Sequence, residues 1–301
     1  MTRLIPTCEL PLYSLGSPAA RAGGAFPAPF SPARYSRYKY GSLTATEAFA
    51  QALKAAISMR APELDRAPRL LVTSSPYARV PTAATTLARR LLPLLAAARA
   101  RQGLAPAPLI QVERLGTTAG DYGTLSAQAR DQHMAANALS FRKFRPGQVE
   151  GAHLLIIDDV RVTGAHQRCL MRATDELPLA ARTFLYIASF PGAPGAGFDP
   201  TAEDALNHAA IKTLSDLAGI VEDGDFAWNV RACKFILGPA NHADLPRFLR
   251  RMPAWFIRAL HRNSHLDGYW RMALYARGHA VTCAELGRRP DRELAACPPV
   301  A

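Results

Sequence analysis

The longest unbroken change from apolar to polar character lies in the middle of the chain, where Leu154-Leu-Ile-Ile157 runs directly into Asp158 and Asp159. Four apolar residues without alternation suit a strand buried on both faces, as in a parallel sheet. Around it, short β-rich runs at 69–73, 108–113, 153–157 and 182–190 alternate with stretches of helical spacing. Phe49, Leu53, Ala56 and Ile57 recur as one face of a helix over 44–59, started by the capping-box spacing Thr44-Ala-Thr-Glu47. Leu87, Leu91, Leu94 and Leu95 mark a second helix over 82–100, and further helices are predicted over 126–138 and 164–176. This alternation predicts an α/β fold with a doubly wound parallel sheet.

The texture differs at both ends. Residues 1–42 are rich in Pro, Gly, Ser and Ala without periodicity and read as an irregular N-terminal arm. From residue 199 onward the segments 202–217, 226–237, 243–251 and 254–276 have helical spacing and little strand character. The expected organisation is therefore an arm over 1–42, an α/β domain over 43–198 and a C-terminal helical accessory region over 199–301. The glycine-rich stretch 192–197 reads as the linker between the last two.

Composition narrows the class. With 301 residues, 49% of them hydrophobic, the chain can bury a full core and an appended unit. No apolar run reaches the roughly 18–20 residues of a membrane span, and the first 15 residues have no sustained apolar core, so a cytoplasmic protein without membrane contact is expected. Cys8, Cys169, Cys233, Cys283 and Cys297 are scattered and odd in number, and the absence of Cys-x-x-Cys spacing indicates neither a zinc site nor a disulfide framework. The net charge of +12 favours polyanionic partners. Because the arginines are spread along the chain rather than gathered in one tract, much of the excess reads as solvated surface, and nucleic-acid binding is not expected.

The acidic pair is the chemical centre. Ligands of parallel sheets sit beyond the carboxyl ends of the strands. The turn that follows, Val162-Thr163-Gly164-Ala165-His166, can offer backbone N–H groups and a helix N-terminus to phosphate. Carboxylates and a phosphate cradle so close together suit a ligand with hydroxyls, a phosphate and a divalent metal. A Walker B strand would need a Gly-x-x-x-x-Gly-Lys-Ser/Thr loop, which the sequence lacks.

Asp158, Asp159, Val160, Thr163, Gly164 and Ala165 together resemble the phosphoribosyl pyrophosphate (PRPP) motif of type I phosphoribosyltransferases. His166 stands where that motif usually has a hydroxyl residue. Arg34-Tyr-Ser-Arg-Tyr-Lys-Tyr-Gly41, Gly120-Asp-Tyr-Gly-Thr-Leu-Ser126 and Phe226-Ala-Trp-Asn-Val-Arg231 extend the likeness over most of the chain. With them the chain resembles the ComF-like phosphoribosyltransferases encoded beside tellurite-resistance and stress-response gene clusters.

The resemblance implies transfer of a phosphoribosyl group from PRPP to a nitrogenous acceptor, in the synthesis of a nucleoside-like metabolite. It implies Mg2+ as cofactor, held with the ribose hydroxyls by Asp158 and Asp159, directly or through water. It implies a 5′-phosphate cradle of Val162, Thr163, Gly164, Ala165 and His166. Ser74, Ser75, Tyr77, Ala78 and Arg79 correspond to the pyrophosphate turn. Arg114, Asp121 and Tyr122 fall in the loop that closes over the reaction. A non-catalytic PRPP-binding regulator or adaptor on the same fold is the alternative.

Several features stay open at this level. The run 34–40 suits either base stacking or packing of the tyrosines with basic tips in water. Arg142, Lys143 and Arg145 read as a solvated cluster. Trp228, Asn229, Arg231, Trp255 and His261 read as core or interface. The helical region could serve as a hood over the acceptor, a homodimer interface or a docking surface for a pathway partner. No residue stands out as the acceptor's general base.

Overall fold

The structure is a computed structural model, described here over residues 5–15, 30–114, 139–140, 146–190 and 201–289. The expected helix at 126–138, the cluster Arg142, Lys143 and Arg145, and the linker at 192–197 lie outside these residues.

The architecture is organised about β5 (His153–Arg161), in which Leu154, Leu155, Ile156 and Ile157 are all fully buried. Each such side chain contributes about 1.5–3 kcal/mol by leaving water. On one side β5 pairs with β6 (Ala181–Ser189) from His153↔Ala181 to Arg161↔Ser189. On the other it pairs with β2 (Leu70–Ser74) only as far as Ile157↔Ser74. An outer strand β1 (Thr7–Ser14) lies along β6, giving the all-parallel order β1-β6-β5-β2. Beyond β2 a single bridge at Leu109 continues the sheet, with Val72 N donating to Pro108 O at 3.0 Å and Ile110 N to Val72 O at 2.7 Å. The strand expected over 108–113 thus divides between this bridge and β3 (Glu113–Arg114), which pairs antiparallel with β4 (Leu139–Ser140).

Strand alternation sorts the core into two layers. Leu155 and Ile157 face α1 (Pro32–Lys39), α2 (Leu43–Arg60) and α4 (Ala83–Ala100). Leu154 and Ile156 face α5 (Pro146–Val149) and α6 (Ala165–Thr174). A short α3 (Glu63–Arg66) joins α2 to β2. Helices cover both faces, as a doubly wound sheet requires.

The expectation of an irregular arm over 1–42 is corrected, because its described part carries β1 and α1. Pro11 hides β1 in the sequence; among the described residues β1 has one neighbouring strand, so a missing N–H is tolerated. In α1 the aromatic spacing is a packing pattern: Tyr35 and Tyr38 are buried in the sheet-facing core while Arg34 and Arg37 are exposed. The run 34–40 is therefore packed helix rather than a base-stacking surface.

The C-terminal region is helical: α7 (Thr201–Asn207), α8 (Leu214–Glu222), α9 (Val230–Leu237), α10 (Leu245–Arg251), α11 (Ala254–Leu266) and α12 (Ala273–Leu286). The single helix expected over 254–276 breaks at Asp267, and a 3-10 turn over Tyr269–Arg271 leads into α12. The units interlock. Ala202 and Leu206 of α7 belong to the α/β core, past the expected boundary, while Tyr40 and Val80 belong to the core of the helical unit.

One contact fixes the join. The expected capping box at Thr44 is not used; Ser42 caps α2, accepting from Ala45 N at 3.1 Å, and Asp225 accepts from Thr44 N at 2.6 Å and from Ser42 Oγ at 2.5 Å. Beside them Gly41, at φ +99°, lies so close to the chain that an added Cβ would stand 2.3 Å from Ala227 O. Gly41→Ala should therefore destabilise the protein by about 2–4 kcal/mol, combining a disfavoured backbone with overpacking. Urea unfolding checks this: the midpoint should fall with little change in m, and an unchanged midpoint would contradict the contact.

Candidate functional site

The chain leaves β2 toward Leu109 on one side of the sheet and leaves β5 toward β6 on the other. The carboxyl ends of β2 and β5 are thus a topological switch point, where a crevice opens in parallel sheets. β2 stops at Ser74 while β5 runs on to Arg161, so among the described residues Asp158 and Asp159 have no strand beside them on that edge. A cavity of about 500 Å³ fills the space, roofed by residues of the helical unit.

Consecutive strand residues point to opposite faces, so the two carboxylates meet different layers. Asp158 Oδ2 lies 2.7 Å from His166 Nδ1 on α6, and its Oδ1 accepts from Ser75 Oγ at 2.5 Å and from Asp159 N at 2.9 Å. Burial pushes the Asp158 carboxyl up, but His166 and these donors outweigh it and hold the group below the ordinary value of 3.8. Asp159 pairs with Lys39 of α1 and also accepts from Val160 N at 2.7 Å. Both partners of the Lys39 pair are largely buried.

The glycine turn then opens α6. Gly164 adopts φ +71°, and α6 has no side chain capping its first turn from the usual N-cap position. Ala165 N donates to Thr163 Oγ1 at a long 3.3 Å. The helix start is held by Arg168, which donates to Thr163 O at 2.9 Å, and by Gln167, which donates to Glu9 Oε1 of β1 at 2.8 Å. Arg161 completes that network, 3.3 Å from Glu9 and donating to Gln167 Oε1 at 3.1 Å. A helix N-terminus that lacks an N-cap side chain and is braced by these contacts is suited to an anion.

Val162, Thr163, Gly164, Ala165 and His166 all line the cavity, as do Ser75, Tyr77 and Ala78. Ser74 and Arg79 are not among the lining residues. Ser74 turns inward, 2.9 Å from Thr85 Oγ1. The amides of Arg79 and Val80 donate to Asp267 Oδ1 at 3.0 and 3.1 Å. Arg114 lies in β3, and Asp121 and Tyr122 lie outside the described residues.

The sequence reading missed the contributions from outside the motif. Lys39, Arg231, Lys234, Asp267 and Tyr269 line the cavity. Arg231, expected as core or interface, is one of them. Burial raises the Asp267 carboxyl despite hydrogen bonds from Val80 N, Tyr269 Oη and Arg79 N. A basic residue at the end of the 34–40 run was the available signal for Lys39. Asp267 gives none in sequence, because the two backbone amides it holds are 187 and 188 residues away.

Sheet, switch point and uncapped helix start define an α/β protein with a ligand crevice at the strand carboxyl ends. Within that class, the family described as PRTase ComF-like matches residues 20–279, and the chain belongs to this family of ComF-like phosphoribosyltransferases. No curated protein matches the chain in sequence. Seventeen solved chains match. Among them is a hypoxanthine phosphoribosyl transferase of Trypanosoma cruzi, 12% identical, with a TM-score of 0.30 over 55% of this chain and 77% of that one. An overlap this weak transfers no residue role.

Two outcomes test the carboxylate pair. Lys39→Met should cost about 2 kcal/mol by leaving Asp159 buried without its cation, and adding Asp159→Asn should recover most of the loss. A strictly additive double variant would contradict the pair. The Asp158 carboxyl titrates lower folded than unfolded, so its stabilising contribution is present above the unfolded value and lost as pH falls through the folded one. Asp158→Asn should flatten the acid limb of stability below about pH 4, read by thermal unfolding across pH.

Proposed function

We propose that this protein transfers a phosphoribosyl group from PRPP to a nitrogenous acceptor, releasing pyrophosphate. The observation that carries the reading is the acidic end of β5 set against the uncapped start of α6 on one cavity wall. On this reading Asp158 and Asp159 accept hydrogen bonds from the ribose hydroxyls. The amides of 164–166 and the Thr163 hydroxyl hold the 5′-phosphate. Ser75, Tyr77 and Ala78 face the pyrophosphate, and Lys39 is the cation paired with Asp159. Cleavage at C1 builds positive charge on the sugar and negative charge on the leaving pyrophosphate. The carboxylates stabilise the first, and basic groups on the cavity wall stabilise the second.

The donor set fits Mg2+, a hard cation that takes one or two carboxylates together with substrate oxygens and water. When bound it would neutralise charge on the pyrophosphate. Asp158 and Asp159 are the residues that would hold it, with Lys39 moving off Asp159.

A PRPP-binding regulator is the second reading. What favours it is that His166 and Lys39 already occupy the carboxylates. Calorimetric titration of PRPP, with and without Mg2+, tests the pocket that both readings share. Magnesium-dependent binding that is lost in Asp158→Asn/Asp159→Asn supports the pocket. Pyrophosphate release with a panel of nitrogenous bases then supports the transferase, and binding without release under every acceptor supports the regulator. No PRPP binding by the folded wild type sinks both.

A further inference from the structure

A second cluster of reactive side chains lies on the helical unit, and none of its members lines the cavity. His261 and His265 are four residues apart on α11; His279 and Cys283 are four apart on α12. Residues so spaced share one helix face. The two helices pack together, bringing the pairs to one spot. Ligand atoms of His261, His279 and Cys283 all lie within 4.8 Å of one another. The His265 ring centroid is 4.6 Å from that of His261 and 4.9 Å from that of His279.

We propose that His261, His279 and Cys283, with the adjacent His265 ring turning in as a fourth donor, form a structural binding site for one divalent transition metal, zinc by ligand chemistry. Three imidazoles and a thiolate are the nitrogen and sulfur donors of closed tetrahedral sites. His279 is already oriented for the task. Its Nδ1 is 3.0 Å from Ser264 Oγ, a fully buried hydroxyl, and its Nε2 is 3.2 Å from Cys283 Sγ. A second ring nitrogen held by a buried neighbour is the usual outer support of a metal-bound histidine.

Binding would displace the Cys283 thiol proton to the solvent as the sulfur–metal bond forms.

The position gives the metal a purpose. α11 and α12 are joined through Asp267 and Tyr269, which line the cavity, and Asp267 holds the Arg79 and Val80 amides. A metal bridging the two helices clamps both ends of that connection. The expectation from cysteine spacing that no zinc site exists looked for Cys-x-x-Cys, whereas this set is written in helical spacing from two segments. The inference does not rest on the phosphoribosyl reading.

The test uses the reduced, chelator-stripped full chain titrated with Co2+ alone. One cobalt per chain should give tetrahedral visible bands and a thiolate-to-metal charge-transfer band, both displaced by Zn2+. Cys283→Ser should abolish the charge-transfer band, and His279→Ala should weaken zinc competition at least about tenfold. Zn2+ should raise the melting temperature of the wild type and leave Cys283→Ser unmoved, which keeps the test decisive if His279→Ala fails to fold. The proposal is overturned by an octahedral spectrum without a thiolate band. It is equally overturned by a band that survives Cys283→Ser, or by one lost instead in Asp158→Asn/Asp159→Asn.

Discussion

Two adjacent carboxylates, both largely removed from water at the end of a buried strand, set the terms for everything around them. Neither can stay ionised there without donors or a cation. Strand alternation sends them to opposite faces, so no single neighbour can serve both. Lys39 reaches Asp159 from the α1 layer, and His166 reaches Asp158 from the α6 layer. The two helical layers of the sheet are thereby tied to one point. The short β2 matters for the same reason: had it paired past Ser74, Ser75 could not turn in to donate to Asp158.

The helical unit acts on the α/β unit through a repeated device. Chain entering a helix exposes backbone N–H groups that need acceptors. Asp225 supplies one at the start of α2, and Asp267 supplies another in the turn that leads to α4. Both come from the C-terminal region. Asp267 does so at the cost of burial, which raises its carboxyl. The turn beside the cavity is consequently built from two parts of the chain distant in sequence. Removing the helical unit would expose Tyr40 and Val80, which lie in its core, together with those amides.

Local pattern decided what was legible. β5 was readable because four apolar residues without alternation have few other homes, and α2 and α4 because their apolar faces recur at helical intervals. The motif residues 162–166 were found because strand, acidic pair and glycine turn are contiguous. β1 was hidden by Pro11, which only an edge position permits, and α1 by aromatic residues whose spacing serves packing and stacking equally. Lys39, Asp267 and the His261–Cys283 cluster were out of reach for a different reason. Each acquires its role from tertiary neighbours, and isolated polar residues on amphipathic helices look alike until those neighbours are known. The break at Asp267 was missed because apolar spacing continues across it.

The same neutralisation that holds the fold bears on ligand binding. On the reading proposed above, ribose hydroxyls must replace donors that the carboxylates already have. Exchange of one hydrogen bond for another is nearly balanced, so the site gives up little by releasing Ser75. Release of Lys39 is a larger step, because it separates a buried charge pair. That step is favourable only if Lys39 finds another anion or Asp159 another cation. A ligand bearing pyrophosphate and accompanied by a divalent cation supplies both at once, whereas a neutral nucleoside supplies neither. On that reading the ion pair is a discriminating element, because it is released at least cost to a ligand of matching charge.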